Sequence, residues 1–172
     1  VKGLEQGTNM RMSQIIDEVL PGHPAGILAG PNIAREVAEG YAAAAVLAMP
    51  DQHLAANLAN LFRTERFRVY TTDDVIGVEM AGAAKNAAVL AAAAAEPHGL
   101  NAAGIAAAGV WRECVQYAVM QGAELDTFNG LAGVGDLLAT VMAEGSRNRR
   151  AGELLGRDTP PDQVRREIGQ AS

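Results

Sequence analysis

The chain has 172 residues, 49% of them hydrophobic and 20% charged, with a net charge of −6 and no long acidic or basic run. That length and balance suit one or two folded domains with a sizeable core and exclude a disordered tail; the dispersed charge excludes broad contact with nucleic acid or an anionic membrane, so any anion site must be local. The single cysteine, Cys114, has no internal disulfide partner, and His23, His53 and His98 stand at no metal-ligand spacing, which sets the expectation of a reducing cytoplasm and no structural metal.

The first residue is Val1, and "VKGLEQGT" reads as a strand end entering a loop, so the chain is expected to be a fragment. Residues 9–20, "NMRMSQIIDEVL", carry apolar positions at helical spacing, and "PGHP" stops them. "AGILAG" at 25–30 predicts a short strand ended by Gly30-Pro31, and "NIAREVAEG" a short helix with Asn32 as N-cap and Gly40 past its end. "YAAAAVLAMP" predicts a buried strand, Asp51 caps a helix over "QHLAANLANLF", and "FRVYTT" is a further strand. Residues 1–72 therefore alternate strand and helix, as in the outer part of an α/β sheet.

After Asp73-Asp74 only helical segments are predicted, at about 75–96, 101–121, 135–143, 147–156 and 161–169, divided by Gly- or Pro-bearing breaks. Gly77, Gly82 and the alanines around them suit a central helix that neighbours approach closely. The Ala-rich run after Lys85 is too short, and too soon followed by Glu96-Pro97-His98, to be read as a membrane span.

Three stretches could carry chemistry. In "MAGAAKNAAVLAAAAAE" Lys85, with Asn86 beside it, is either a snorkelling side chain or a desolvated amine able to exchange a proton with a substrate. In "GLAGVGDLLAT" Asp136 either caps the helix that follows or is a carboxylate presented by a turn whose backbone admits a ligand. In "GSRNRRAGELLG" Ser146 could cap a helix whose first turn holds Arg147, Asn148, Arg149 and Arg150, and the three arginines oppose the helix dipole; either nearby acids or a bound phosphate must compensate. "GPN" at 30–32 and "VKG" at 1–3 sit at strand ends, where open α/β sheets bind ligands. No G-x-G-x-x-G occurs, so no pyrophosphate site is expected from motif.

Taken in order, "KGLE", "AGPNIAREVAEG", "FRVYTTDDVIGVEMAGAAKNAAVLAAA", "GLAGVGDLLAT" and "SRNRRAGELLG" resemble the bacterial-type NAD(P)-dependent glycerol-3-phosphate dehydrogenases over Lys2 to Gly169. The resemblance implies a mainly α chain with a small α/β part: the end of a Rossmann-type sheet over 1–72, then an all-helical 6-phosphogluconate-dehydrogenase-like domain over 73–172. It implies interconversion of sn-glycerol 3-phosphate and dihydroxyacetone phosphate with NAD or NADP, supplying phospholipid synthesis in the cytoplasm, by a homodimer that spans no membrane and binds no nucleic acid. Residue by residue, Lys85 matches the proton acceptor, Lys2 a lysine near substrate and cofactor, and Asp136 a catalytic carboxylate. Asn86, Ser146, Arg147 and Asn148 match substrate and phosphate ligands, with Arg147 also near cofactor, and Gly30, Asn32 and Ala34 line the cleft, Ala34 on the cofactor side.

Position 32 usually carries Ser or Thr in that family, and the helix after Asn101 lacks its usual arginine. The glycine-motif half of the Rossmann domain is absent, so this segment alone is expected neither to bind NAD tightly nor to turn over. Two alternatives stand beside the resemblance: another two-domain hydroxyacid or sugar-phosphate dehydrogenase, and a non-catalytic helical association module.

Overall fold

A computed structural model describes residues 2–143 and 145–169. The first part holds α1 (Met12–Val19), β1 (Ile27–Ala29), α2 (Ala34–Ala38), β2 (Ala43–Ala48), α3 (Gln52–Phe62) and β3 (Phe67–Thr72). The three strands form one sheet in the order β1-β2-β3. β2 and β3 run parallel, whereas β1 pairs antiparallel to β2 through Ile27–Ala48 and Ala29–Val46. Connection length explains the difference. The eleven residues of α3 rise about 16 Å, close to the roughly 20 Å of a six-residue strand, and so carry the chain back for a parallel crossover. The five residues of α2 cannot. Leu47, Met49, Ala55, Ala59 and Val69 form the core between α3 and the sheet.

Asp51 caps α3 as expected, accepting the Leu54 N–H at 3.0 Å. Asn32 does not cap α2: Ile33 holds that position, and no side chain closes the turn. The Pro31 carbonyl accepts the Ala44 N–H at 3.3 Å, tying the chain to β2 and delaying the helix by one residue.

The second part is helical throughout its described residues: α4 (Val75–Ala95), a 3-10 turn (Glu96–His98), α5 (Leu100–Met120), α6 (Leu125–Asn129), a π turn (Leu131–Gly135), α7 (Asp136–Met142), α8 (Arg147–Leu155) and α9 (Pro161–Gly169). The five predicted helices agree to within a residue at each end. The additional α6 falls where a break was expected. It is short, and it is held from outside itself: Asp74 at the N-cap of α4 accepts the Gly77 N–H through Oδ1, while its Oδ2 accepts the Glu124 N–H at 3.0 Å and the Thr127 hydroxyl at 2.6 Å. Phe128 of α6 then packs edge-to-face on Trp111 of α5, centroids 5.8 Å apart, beside Met80, Ala81 and Ala118.

α4 is the central element. With the 3-10 turn it is long and apolar enough to cross a bilayer, yet 56% of its most apolar stretch lies inside the fold, and it buries Glu79 and Lys85 among polar partners, as a core helix does. Val78 meets Ala29, Ala48 and Ala132, which joins α4 to the sheet and to the π turn. α8 approaches so closely that a Cβ on Gly152 would lie 2.4 Å from the Leu90 carbonyl oxygen and 2.6 Å from the Ala93 Cβ. Gly152→Ala is therefore expected to cost about 1–3 kcal/mol, the range for overpacking against an unyielding backbone, measured as a lower urea midpoint at unchanged slope. Unchanged stability would mean that α8 can move off α4.

Candidate functional site

Lys85 lies midway along α4 and is 7% exposed. Its Nζ donates to Asp136 Oδ1 at 2.6 Å and to the Thr140 hydroxyl at 3.0 Å. Lys2 Nζ donates to the other carboxylate oxygen, Oδ2, at 2.5 Å. Thr140, one turn beyond Asp136 on α7, passes its own proton to the Asp136 carbonyl at 2.7 Å, which turns its lone pairs toward Lys85. Two ammonium groups thus share one carboxylate, and the cluster holds a net positive charge in a site where Asp136 is 3% exposed.

Burial is the largest influence on Lys85 and pushes its proton affinity below that of an ordinary lysine; Asp136 opposes this and the nearby Lys2 reinforces it. Lys85 is no snorkeller. Its ammonium is held inside the fold by Asp136 and Thr140. Asp136 is likewise no cap: Gly135 holds the N-cap position of α7, and the carboxylate turns to the lysines.

Glycines make the approach possible. A Cβ on Gly133 would lie 2.1 Å from the Phe128 carbonyl oxygen, so the π turn that delivers Asp136 closes only without a side chain there. Gly30, at φ 140°, sits against the β2 backbone, where a Cβ would meet Ala44 O and Ala45 Cα at 3.0 Å. Pro31 comes within contact range of Gly135, bringing the "GPN" turn beside the turn that carries Asp136.

A cleft of about 640 Å³ lies between Ile33, Arg35 and Tyr41 on one side and Thr140, Ala143 and Ser146 on the other, with Thr140 joining it to the cluster. Ser146 caps α8, its hydroxyl accepting the Arg149 N–H at 3.4 Å. The basic turn divides its charges. Arg149 donates to Glu96 at 2.8 Å and to Glu153 at 3.1 Å, and Arg150 faces Glu153 at 3.8 Å. Arg147 is exposed and has no acid partner among the described residues. Paired acids therefore account for two of the three arginines among the described residues.

Among the predicted site residues, the structure joins Lys2, Lys85 and Asp136 directly and sets Ser146 on the adjoining cleft. Asn32, Asn86 and Asn148 are half-buried and Ala34 is exposed at the start of α2; these four make no side-chain hydrogen bond among the described residues. Sequence reasoning missed Thr140, whose signal was its i+4 spacing from Asp136, and Glu79, a buried acid two short helical steps before Lys85.

Two family models match the chain: the NAD-dependent glycerol-3-phosphate dehydrogenase C-terminus over residues 74–172 and the N-terminus of the same family over residues 1–55. A glycerol-3-phosphate dehydrogenase (NAD(P)+) of Mycobacterium avium is 61% identical over 174 residues, covering 100% of this chain and 51% of its own length. One from Thermobifida fusca is 45% identical, covering 100% and 52%. The crystal structure of the Coxiella burnetii glycerol-3-phosphate dehydrogenase superposes with a TM-score of 0.79 at 33% identity, over 98% of this chain and 52% of that one. The Saccharomyces cerevisiae enzyme gives a TM-score of 0.82 at 26% identity, over 100% and 53%. The chain spans about half the length of the curated relatives it matches.

Proposed function

The chain belongs to the NAD-dependent glycerol-3-phosphate dehydrogenase family, and we propose that it supplies the proton-transfer and substrate-binding half of an enzyme interconverting sn-glycerol 3-phosphate and dihydroxyacetone phosphate. Its fold is the end of a Rossmann-type sheet followed by an all-helical 6-phosphogluconate-dehydrogenase-like domain. The observation that carries the reading is the Lys2–Asp136–Lys85 cluster, one buried and one partly exposed cation on one buried carboxylate.

That cluster suits an oxygen that gains negative charge as it reacts. In oxidation, neutral Lys85 takes the proton of the C2 hydroxyl; in reduction, its ammonium returns that proton to the carbonyl oxygen. Lys2 donates a hydrogen bond to the same oxygen and stabilises the charge that develops on it. Asp136 and Thr140 hold the Lys85 amine in place. At the far end, the start of α8 offers unpaired backbone N–H groups, the Ser146 hydroxyl and the Arg147 guanidinium to the phosphate, with Asn148, Asn86, Asn32 and Gly30 around the three-carbon chain.

NAD or NADP, when bound, accepts or returns the hydride at C2. Lys2, Ala34 and Arg147 are the residues that would meet its reacting end, while the sequence carries no G-x-G-x-x-G for a pyrophosphate. Residues 1–72 are the end of the cofactor domain and 73–172 the substrate domain. Cytoplasmic residence, where the free thiol of half-buried Cys114 stays reduced, a homodimer, and supply of glycerol 3-phosphate to phospholipid synthesis complete the reading.

NAD(P)H oxidation by the full-length protein with dihydroxyacetone phosphate tests it; turnover on another hydroxyacid or sugar phosphate but none on this substrate would reassign it. Arg147→Ala is expected to raise KM for the phosphate substrate by about ten- to a hundredfold, through the roughly 1.5–3 kcal/mol of a charged hydrogen bond, with kcat less affected. An unchanged KM would move the phosphate elsewhere.

A further inference from the structure

We propose that Glu79 is a positioning residue for Lys2: it pins the loop from which Lys2 extends, and so sets where the second ammonium meets Asp136. The inference rests on the dehydrogenase reading above, because it gives Glu79 a part in that reaction.

Glu79 is 3% exposed, yet its carboxylate is fully engaged, and every partner lies at the start of α1. Oε1 accepts the Ser13 N–H at 2.7 Å; Oε2 accepts the Ser13 hydroxyl at 2.6 Å and Arg11 Nη1 at 2.8 Å. The carboxylate sits at the N-terminal end of α1, where exposed N–H groups favour an anion. None of these partners touches the reacting cluster, so Glu79 acts through the chain that Arg11 anchors.

That chain is short and closed. Arg11 bridges antiparallel to Leu4, the Glu5 N–H donates to the Met10 carbonyl at 2.9 Å, and the Asn9 N–H donates to the Glu5 carbonyl at 3.0 Å. Fixing Arg11 therefore fixes Leu4, and Lys2 lies two residues before it. The Lys2 stem then runs along α4 over Gly82, where a Cβ would press on the Lys2 Cγ and Cδ at 3.4 and 3.5 Å.

Glu79, Gly82 and Lys85 follow each other at i, i+3 and i+6 and share one face of α4. One residue anchors the loop, the next seats the lysine stem, and the third shares its carboxylate. The Lys2 side chain is 24% exposed and has four rotatable bonds, so without this anchor it can leave Asp136 for solvent. A surface helix with the same contacts would need none of this register.

The test compares Glu79→Gln, Lys2→Ala and the double variant in the full-length protein. A glutamine places an amide nitrogen against donors and cannot hold both Arg11 and Ser13. Glu79→Gln is expected to lower kcat/KM at least tenfold, and to have no further effect once Lys2 is alanine; losses that multiply in the double variant would overturn the proposal. A second readout is independent of turnover: the rate at which acetic anhydride modifies Lys2, mapped by peptide mass spectrometry. It should rise several-fold in Glu79→Gln while Lys85 modification stays the same. If dihydroxyacetone phosphate proves not to be the substrate, this labelling still decides the role of Glu79, and unchanged Lys2 labelling rejects it. Should Glu79→Gln fail to fold, Ser13→Ala removes only the two hydrogen bonds of the Ser13 hydroxyl, to Glu79 and from Arg11, and is expected to raise Lys2 labelling in the same direction by a smaller factor; no rise there rejects the proposal as well.

Discussion

In the full-length protein, Lys85→Met is expected to lower kcat by about 10²- to 10⁴-fold, the range a positioned general acid–base contributes. Methionine retains the buried stem and deletes the amine. The carboxylate of Asp136 keeps Lys2 as a partner, and the Thr140 hydroxyl keeps its bond to the Asp136 carbonyl, so the pocket stays formed while the proton carrier is gone. The pH dependence separates this from a packing effect. Burial sets the Lys85 proton affinity below the ordinary lysine value of 10.5. In the proposed reaction, oxidation, which would use the neutral amine, is therefore expected to rise with pH along a limb below that value, and reduction, which would use the ammonium, to fall along the same limb.

Stability follows the same sign. Between the lowered folded pKa and 10.5 the unfolded chain binds more protons at this site, so the contribution of Lys85 to stability grows as pH rises through that window and is lost as pH falls through the folded pKa. Full pH–rate profiles in both directions, for wild type and Lys85→Met, supply the check. A variant within tenfold of wild type, or one that keeps the limb, would hand the proton to another group.

Lys85 stands out in the sequence because it is one charge in an Ala-rich helix, but what decides its role is not local. Its partner Asp136 lies 51 residues away, and Lys2 lies 134 residues from Asp136. Spacing and breaks locate five helices of the second part to within a residue at each end, because those signals are local to each segment. It does not say which stripe meets which, and so it cannot distinguish a snorkelling lysine from a buried one. The antiparallel β1 depends on how far α2 can carry the chain, and α6 depends on Asp74 reaching across from α4; neither is a property of the segment itself. Glu79 was invisible for a related reason. An acid in an apolar helix reads as a solvent-facing residue until its donors, 66 and 68 residues away, are brought to it. The basic turn at 147–150 posed a question whose answer, Glu96, sits beyond the far end of α4.

Asp136→Asn carries the largest expected effect on folding. Deleting the shared negative charge leaves two ammonium groups facing one another, and breaking a buried pair by removing one partner costs about 3–5 kcal/mol. Lys2, the more exposed of the two, can turn to solvent, which places the loss toward the lower end of that range. Denaturant unfolding in the neutral range measures it. The same substitution removes the charge that raises the Lys85 proton affinity and leaves only a neutral amide oxygen to accept from it, so that burial and Lys2 lower it further. The limb of the oxidation rate should then move to lower pH in Asp136→Asn, whereas in Lys85→Met it disappears. These outcomes separate the carboxylate that tunes the amine from the amine that carries the proton. Were the limb to stay in place while stability fell, Asp136 would be a structural counter-ion only, and the poise of Lys85 would rest on burial alone.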